Sequence, residues 1–133
     1  MESLLRLATI FKVLDLYAHN AHHFTKGPTF FQDHGFFREL YSFADSKFDS
    51  VIERYIGLGG KNYDLAAFMV DVNESLKITD PKFFTTSLIL LEQAKKHIEL
   101  MSKDTTLSQG TINLIVGIED EIEVLCYKIK QRI

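Results

Sequence analysis

Four stretches of this chain repeat apolar residues at steps of three and four, and strand-like alternation is absent, so the sequence is bound to helices. The first stretch runs through Leu4, Leu7, Ala8, Phe11, Leu14, Tyr17, Ala18 and Ala21 and predicts a helix from about residue 3 to 24. Gly27 and Pro28 break it, because glycine tolerates the left-handed backbone that ends a helix and proline cannot continue one. Thr29 followed by Gln32 predicts a capping box at the start of a second helix. That helix carries Phe36, Phe37, Leu40, Tyr41, Ala44, Phe48, Val51, Ile52, Tyr55 and Ile56 until Gly57, Gly59 and Gly60 stop it. Residues 61–80 then form a crossover with a short helix around Leu65 to Val72, whose apolar face is Leu65, Phe68, Met69 and Val72. Asp80 and Pro81 predict the cap and first turn of a third long helix reaching about Lys103. Ser108 predicts the cap of the last, with Ile112, Ile115, Ile118, Ile122, Leu125 and Ile129 on its buried face.

Two helices joined by a tight turn, a long crossover, and two more helices joined by a short turn is the connectivity of ferritin-like bundles. The expectation is an all-α, ferritin-like four-helix bundle with a short helix in the crossover, formed as a single domain over residues 1–133. Such bundles serve many functions, so the polar residues must decide among them.

Bulk properties exclude several classes. With only two prolines and nearly half its residues hydrophobic, the chain has the composition of an ordered globular protein. Its single cysteine, Cys126, rules out an intrachain disulfide framework and fits a reducing, cytoplasmic compartment as a buried, inert thiol. Arg6, Lys12 and Asp15 interrupt the apolar stretch that a signal peptide or membrane span would need near the amino terminus. A net charge of −3 and the lack of a basic amino-terminal arm argue against general attraction to nucleic acid.

Four of the five histidines, His19, His22, His23 and His34, fall around the first interhelical turn. His22 and His34 flank that turn, so a helical hairpin brings them close together. Imidazole and carboxylate together suit iron or zinc, whereas the all-oxygen sites of calcium do not call for histidine. The plainer alternative is a set of polar residues that cap and solvate the turn. Asp49 and Glu53, four apart, share one face of the second helix and repel each other by a few tenths of a kcal/mol, a cost a bridging cation would reverse. Their plainer alternative is a solvated acidic face relieved by Lys47 or Arg54. Fifteen residues separate His34 from Asp49, or roughly 22 Å along a helix. The two pairs cannot share a metal within one subunit, and a conventional intra-bundle di-iron centre would use Glu-x-x-His motifs, which the chain lacks. If they bind one metal, a second copy of this helix must run antiparallel across a two-fold axis.

Residues 19–41, HNAHHFTKGPTFFQDHGFFRELY, together with 49–60, DSVIERYIGLGG, resemble the signature of the Dps family, the DNA-binding proteins from starved cells. The resemblance rests on His19-x-x-His22, the Lys-Gly-Pro turn at 26–28, Phe30 and Phe31, His34, Leu40 with Tyr41, and the Asp49-x-x-x-Glu53-Arg54 run ending in Gly-Gly. It implies a dodecameric hollow homo-oligomer built from two-fold dimers, in which His22 and His34 of one subunit face Asp49 and Glu53 of another. The implied reaction is ferroxidation: Fe(II) is oxidised, with hydrogen peroxide preferred over oxygen, and stored as ferric mineral, with zinc as a substitute metal. His19, one turn before His22, is either an accessory ligand or an ordinary surface histidine. The chain departs from the family at His23, where a tryptophan is usual, and at Arg38, where an acidic residue often completes the second iron position. Either that position is weak or Glu39 serves it. The start of the last helix, LSQGTIN, lacks the carboxylates that line the family's entry pores, and Glu119, Asp120, Glu121 and Glu123 further along are expected to form a solvated face. Lys128, Lys130 and Arg132 either contact phosphate or complement the negative end of the helix dipole. A nucleoid-protecting DNA binder and a cage with a degenerate metal site are the competing functions.

Overall fold

The computed structural model describes residues 1–133 and contains five helices and no strand. They are α1 (Glu2–Phe24), α2 (Phe30–Gly57), α3 (Leu65–Lys77), α4 (Phe83–Met101) and α5 (Gln109–Arg132). The four long helices form the expected bundle, with α3 lying in the crossover. Helix α1 packs against α2, α4 and α3, while α5 closes the bundle against α4 and along α2. Because it is surrounded, α1 buries a wide face that includes Leu4, Leu7, Phe11, Val13, Leu14 and Ala18. Phe11, fully buried, is the largest of these side chains, and truncation to alanine at such a site costs about 3–5 kcal/mol. No helix is long and apolar enough to cross a membrane.

The long α2 is ended by its glycines. Gly59 has φ +91°, its N–H donates to the Ile56 carbonyl at 3.0 Å, and the Gly60 N–H reaches back to the Tyr55 carbonyl at 2.9 Å. This is the paired closing pattern that satisfies the last carbonyls of a helix. A Cβ on Gly60 would lie 2.6 Å from the Tyr55 carbonyl oxygen, so the second glycine is required for close approach as the first is for φ.

Several local expectations shift. The start of α2 has no capping box: the Thr29 hydroxyl donates to the Asp33 carboxylate at 2.8 Å and makes no bond to a backbone amide. The cause is tertiary, because Arg132 from the far end of the chain donates to both Asp33 oxygens (3.0 and 2.9 Å) and to the Thr29 hydroxyl (3.0 Å). Helix α3 runs one turn further than expected, capped by Asp64, whose carboxylate accepts from the Ala66 and Ala67 amides. Lying across α1, it buries only Phe68 and Val72, so Leu65 and Met69 are exposed. Helix α4 starts at Phe83 and not at Pro81. Asp80 stays outside the helix and fastens the crossover, its carbonyl accepting from the buried Tyr17 hydroxyl and its carboxylate from the Lys82 amide and Thr86 hydroxyl. Ser108 caps α5 as expected, accepting from the Thr111 amide at 3.1 Å.

Candidate metal centre at the first hairpin

His22 on the last turn of α1 and His34 on the second turn of α2 are locked together by a reciprocal pair of hydrogen bonds. Each ring Nδ1 lies 2.8 Å from the other residue's backbone carbonyl. A carbonyl oxygen only accepts, so both Nδ1 atoms carry protons, and in the neutral rings each Nε2 keeps a free lone pair. That is the state in which imidazole ligates a metal. The rings stack with centroids 3.6 Å apart, and Phe30 stacks on the far side of His34 at 4.9 Å. Burial lowers the pKa of His22, assisted by the positive charge that His34, Arg38 and His23 place nearby, and opposed by the bond to the His34 carbonyl. The pair therefore fits a divalent metal: it is oriented by backbone bonds and its buried member resists protonation.

His19 is exposed and lies parallel to Tyr41, with centroids 4.0 Å apart and 6° between ring planes. Tyr41 also meets His22 edge-on at 5.4 Å, and His23 lies beside both His19 and His22. Sequence reasoning missed this aromatic contact. Its signal was the spacing of Tyr41 from His34, seven residues or two turns, which puts both on one side of α2.

Asp49 and Glu53 lie two to three turns beyond Tyr41, on an exposed stripe of α2 that runs through Gly35, Arg38, Ser42, Asp45, Asp49, Glu53 and Ile56. The cations expected to relieve them turn elsewhere: Lys47 pairs with Glu121 at 2.7 Å, and Arg54 donates to the Thr111 hydroxyl at 3.3 Å. None of the chain's ion pairs involves Asp49 or Glu53. These carboxylates remain uncompensated and do not meet His22 and His34 within the chain. In keeping with this, no three His, Cys, Asp or Glu side chains of one chain converge on a metal position.

The chain is similar to known proteins over most of its length. DNA protection during starvation protein 2 of Bacillus anthracis is 32% identical to this chain over 114 residues, covering 79% of this chain and 76% of that protein. The chain belongs to the Dps family. The solved structure of Dps from Thermosynechococcus elongatus superposes on it with a TM-score of 0.83 at 20% identity, covering 97% of this chain and 86% of that one, which confirms the ferritin-like fold. No family model matches the sequence.

As a Dps-family chain it has local peculiarities. Glu39, next to Arg38, pairs with Lys128 of α5 at 2.8 Å and lines the groove between α2 and α5. In the acidic segment of α5, Asp120, Glu121 and Glu123 are exposed, as expected of a solvated face, and only Glu119 is half-buried. Glu121 and Glu123 pair with Lys47 and Lys95, and half-buried Glu119 has a raised pKa from burial and the nearby charges of Glu99 and Glu123. Cys126 is buried between α4 and α5, which raises its pKa and keeps it a thiol.

Proposed function

We propose that this protein oxidises ferrous iron, with hydrogen peroxide as the preferred oxidant, at sites shared by two subunits, and stores the ferric product in a hollow homo-oligomer of the dodecameric kind. The observation that carries this reading is a ligand set split in two. Backbone-oriented histidines stand at one end of α2 and unpaired carboxylates at the other, roughly 22 Å away by helix rise, on the same hairpin. A second α2 running antiparallel closes the gap. The midpoint between His34 and the Asp49/Glu53 pair falls at Ser42 and Phe43, so the axis crosses where exposed Ser42 permits close approach of the two helices.

His22 and His34 then hold the ferrous ion through Nε2, and Asp49 and Glu53 of the partner copy supply hard anionic oxygens that favour the ferric product. Two Fe(II) ions each give one electron to a peroxide, which with two protons leaves as two waters, so no hydroxyl radical is released. Zinc, sharing these ligand preferences, would occupy the site without turnover. A cytoplasmic location goes with this chemistry and with the free thiol. A DNA-binding role has less support, since Lys128, Lys130 and Arg132 are each engaged with an acidic side chain, Glu39, Glu92 and Asp33 respectively.

The test is anaerobic loading with ferrous iron followed by peroxide, with optical detection of ferric product. Replacing Asp49 and Glu53 together by alanine abolishes the fast phase; a fast phase that survives this change refutes the site. A mobility-shift assay at low and moderate salt separates the DNA-binding alternative, because phosphate-driven binding appears first at low salt.

A further inference from the structure

The exposed stripe of α2 carries one cation, Arg38, towards the histidine end and the anions Asp45, Asp49 and Glu53 towards the other. Arg38 enters none of the chain's ion pairs, and Asp45 has only Lys12 at 4.0 Å, which lies nearer to Asp15 at 3.2 Å. Such a face complements a copy of itself in one orientation only. Two copies laid antiparallel oppose unlike charges, whereas two laid parallel and in register set Arg38 against Arg38 and Asp45 against Asp45, which is repulsive.

Helix rise fixes which charges meet. With the axis at Ser42 and Phe43, His34 lies opposite position 51 of the partner subunit, midway between its Asp49 and Glu53. Arg38, one turn nearer the axis, lies opposite position 47, midway between the partner's Asp45 and the partner's Asp49. Each of these carboxylates is then roughly 3 Å of helix rise from the level of Arg38, within reach of its long side chain. A groove of about 620 Å³ stands at that level, lined by Asp15, Asp45 and Asp49 together with Ser42, and neither lysine nor arginine lines it. Lys12 neutralises Asp15, so the charge left for a partner is that of Asp45 and Asp49. We infer that Arg38 of each subunit enters this groove on the other, bridging Asp45 and Asp49 and setting the antiparallel register of the two α2 helices. Two-fold symmetry makes the contact twice, and a guanidinium suits it because its forked donors reach two carboxylates at once. Asp49 needs one oxygen for this contact and keeps the other for a metal.

The inference rests on the two-fold site proposed above, and the experiment separates the two. Wild type, Arg38→Glu, Asp45→Arg and the double variant carrying both changes are compared by sedimentation over a dilution series, with helicity checked by circular dichroism. The same preparations are then given ferrous iron and peroxide. Each single reversal sets like charges against each other and raises the dissociation constant of the two-fold dimer by about tenfold or more. The double variant, with the charges exchanged, returns to within a few-fold of wild type. Arg38→Gln, which removes the charge without opposing it, falls between wild type and Arg38→Glu. Single reversals that assemble as the wild type does, or a double variant no tighter than the weaker single one, overturn the contact; a fast ferric phase in the wild type then leaves the iron reading standing. Rescue by charge exchange, in a protein whose wild type shows no fast ferric phase, supports the contact and overturns the iron reading. A wild type that forms no two-fold dimer overturns both.

Discussion

Replacing Arg132 by methionine should unfasten the end of α5 from the start of α2 in a way that depends on pH. The guanidinium donates to both carboxylate oxygens of Asp33 (3.0 and 2.9 Å) and to Thr29 (3.0 Å), and lies 4.9 Å from the Phe84 ring centre. Hydrogen bonds to a charged group contribute about 1.5–3 kcal/mol when well buried. Asp33 is buried, but the Arg132 side chain is 44% exposed, and solvent screening brings the expected loss down to about 1–2 kcal/mol. Methionine keeps the apolar contact with Phe84, so the change reports on charge. Hydrogen bonding from Arg132, more than anything else, holds the Asp33 carboxyl below its ordinary value, against the opposing effect of burial. A carboxyl with a depressed folded pKa contributes stability that is complete above its unfolded pKa, near 3.8, and is lost as pH falls through the lower folded value. The difference between wild type and Arg132→Met in urea unfolding, at one fixed protein concentration, should therefore be full at neutral pH and close in acid below the ordinary carboxyl range. No difference at neutral pH, or one that persists undiminished in acid, refutes the clamp.

Three further outcomes are expected. Ser42→Arg places a large cation where two antiparallel α2 helices would cross, so it should abolish two-fold dimers and fast iron oxidation together while helicity by circular dichroism is retained; a dimeric, active variant moves the axis elsewhere. The His22 ring should titrate by NMR below the ordinary histidine value of 6.5, because burial and adjacent positive charge disfavour its cation, so it stays neutral at pH values where a solvated histidine is already charged. Ser108→Ala removes the acceptor for the Thr111 amide and should cost about 1 kcal/mol in urea unfolding, with no effect on iron chemistry.

The sequence by itself determined the helices, their order and the ligand candidates. Three-four periodicity is a local property, and so is the cap at Ser108 or the stop at Gly59 and Gly60, where backbone conformation depends on residues a few positions away. The distance between His34 and Asp49 was equally legible, since helix rise is fixed, and it already meant that the two pairs could share one metal only across two copies. Tertiary structure decided whatever depends on residues far apart in the chain. It turned Thr29 from a backbone cap into a partner of Asp33 and Arg132, moved Asp80 from helix cap to crossover fastener, and sent Lys47, Arg54 and Glu39 to α5. It also fixed the histidine tautomers through backbone carbonyls and laid Tyr41 against His19 and His22. A long polar side chain has several partners within reach, and which one it takes is set by how the helices pack, which the order of residues along any one of them does not contain.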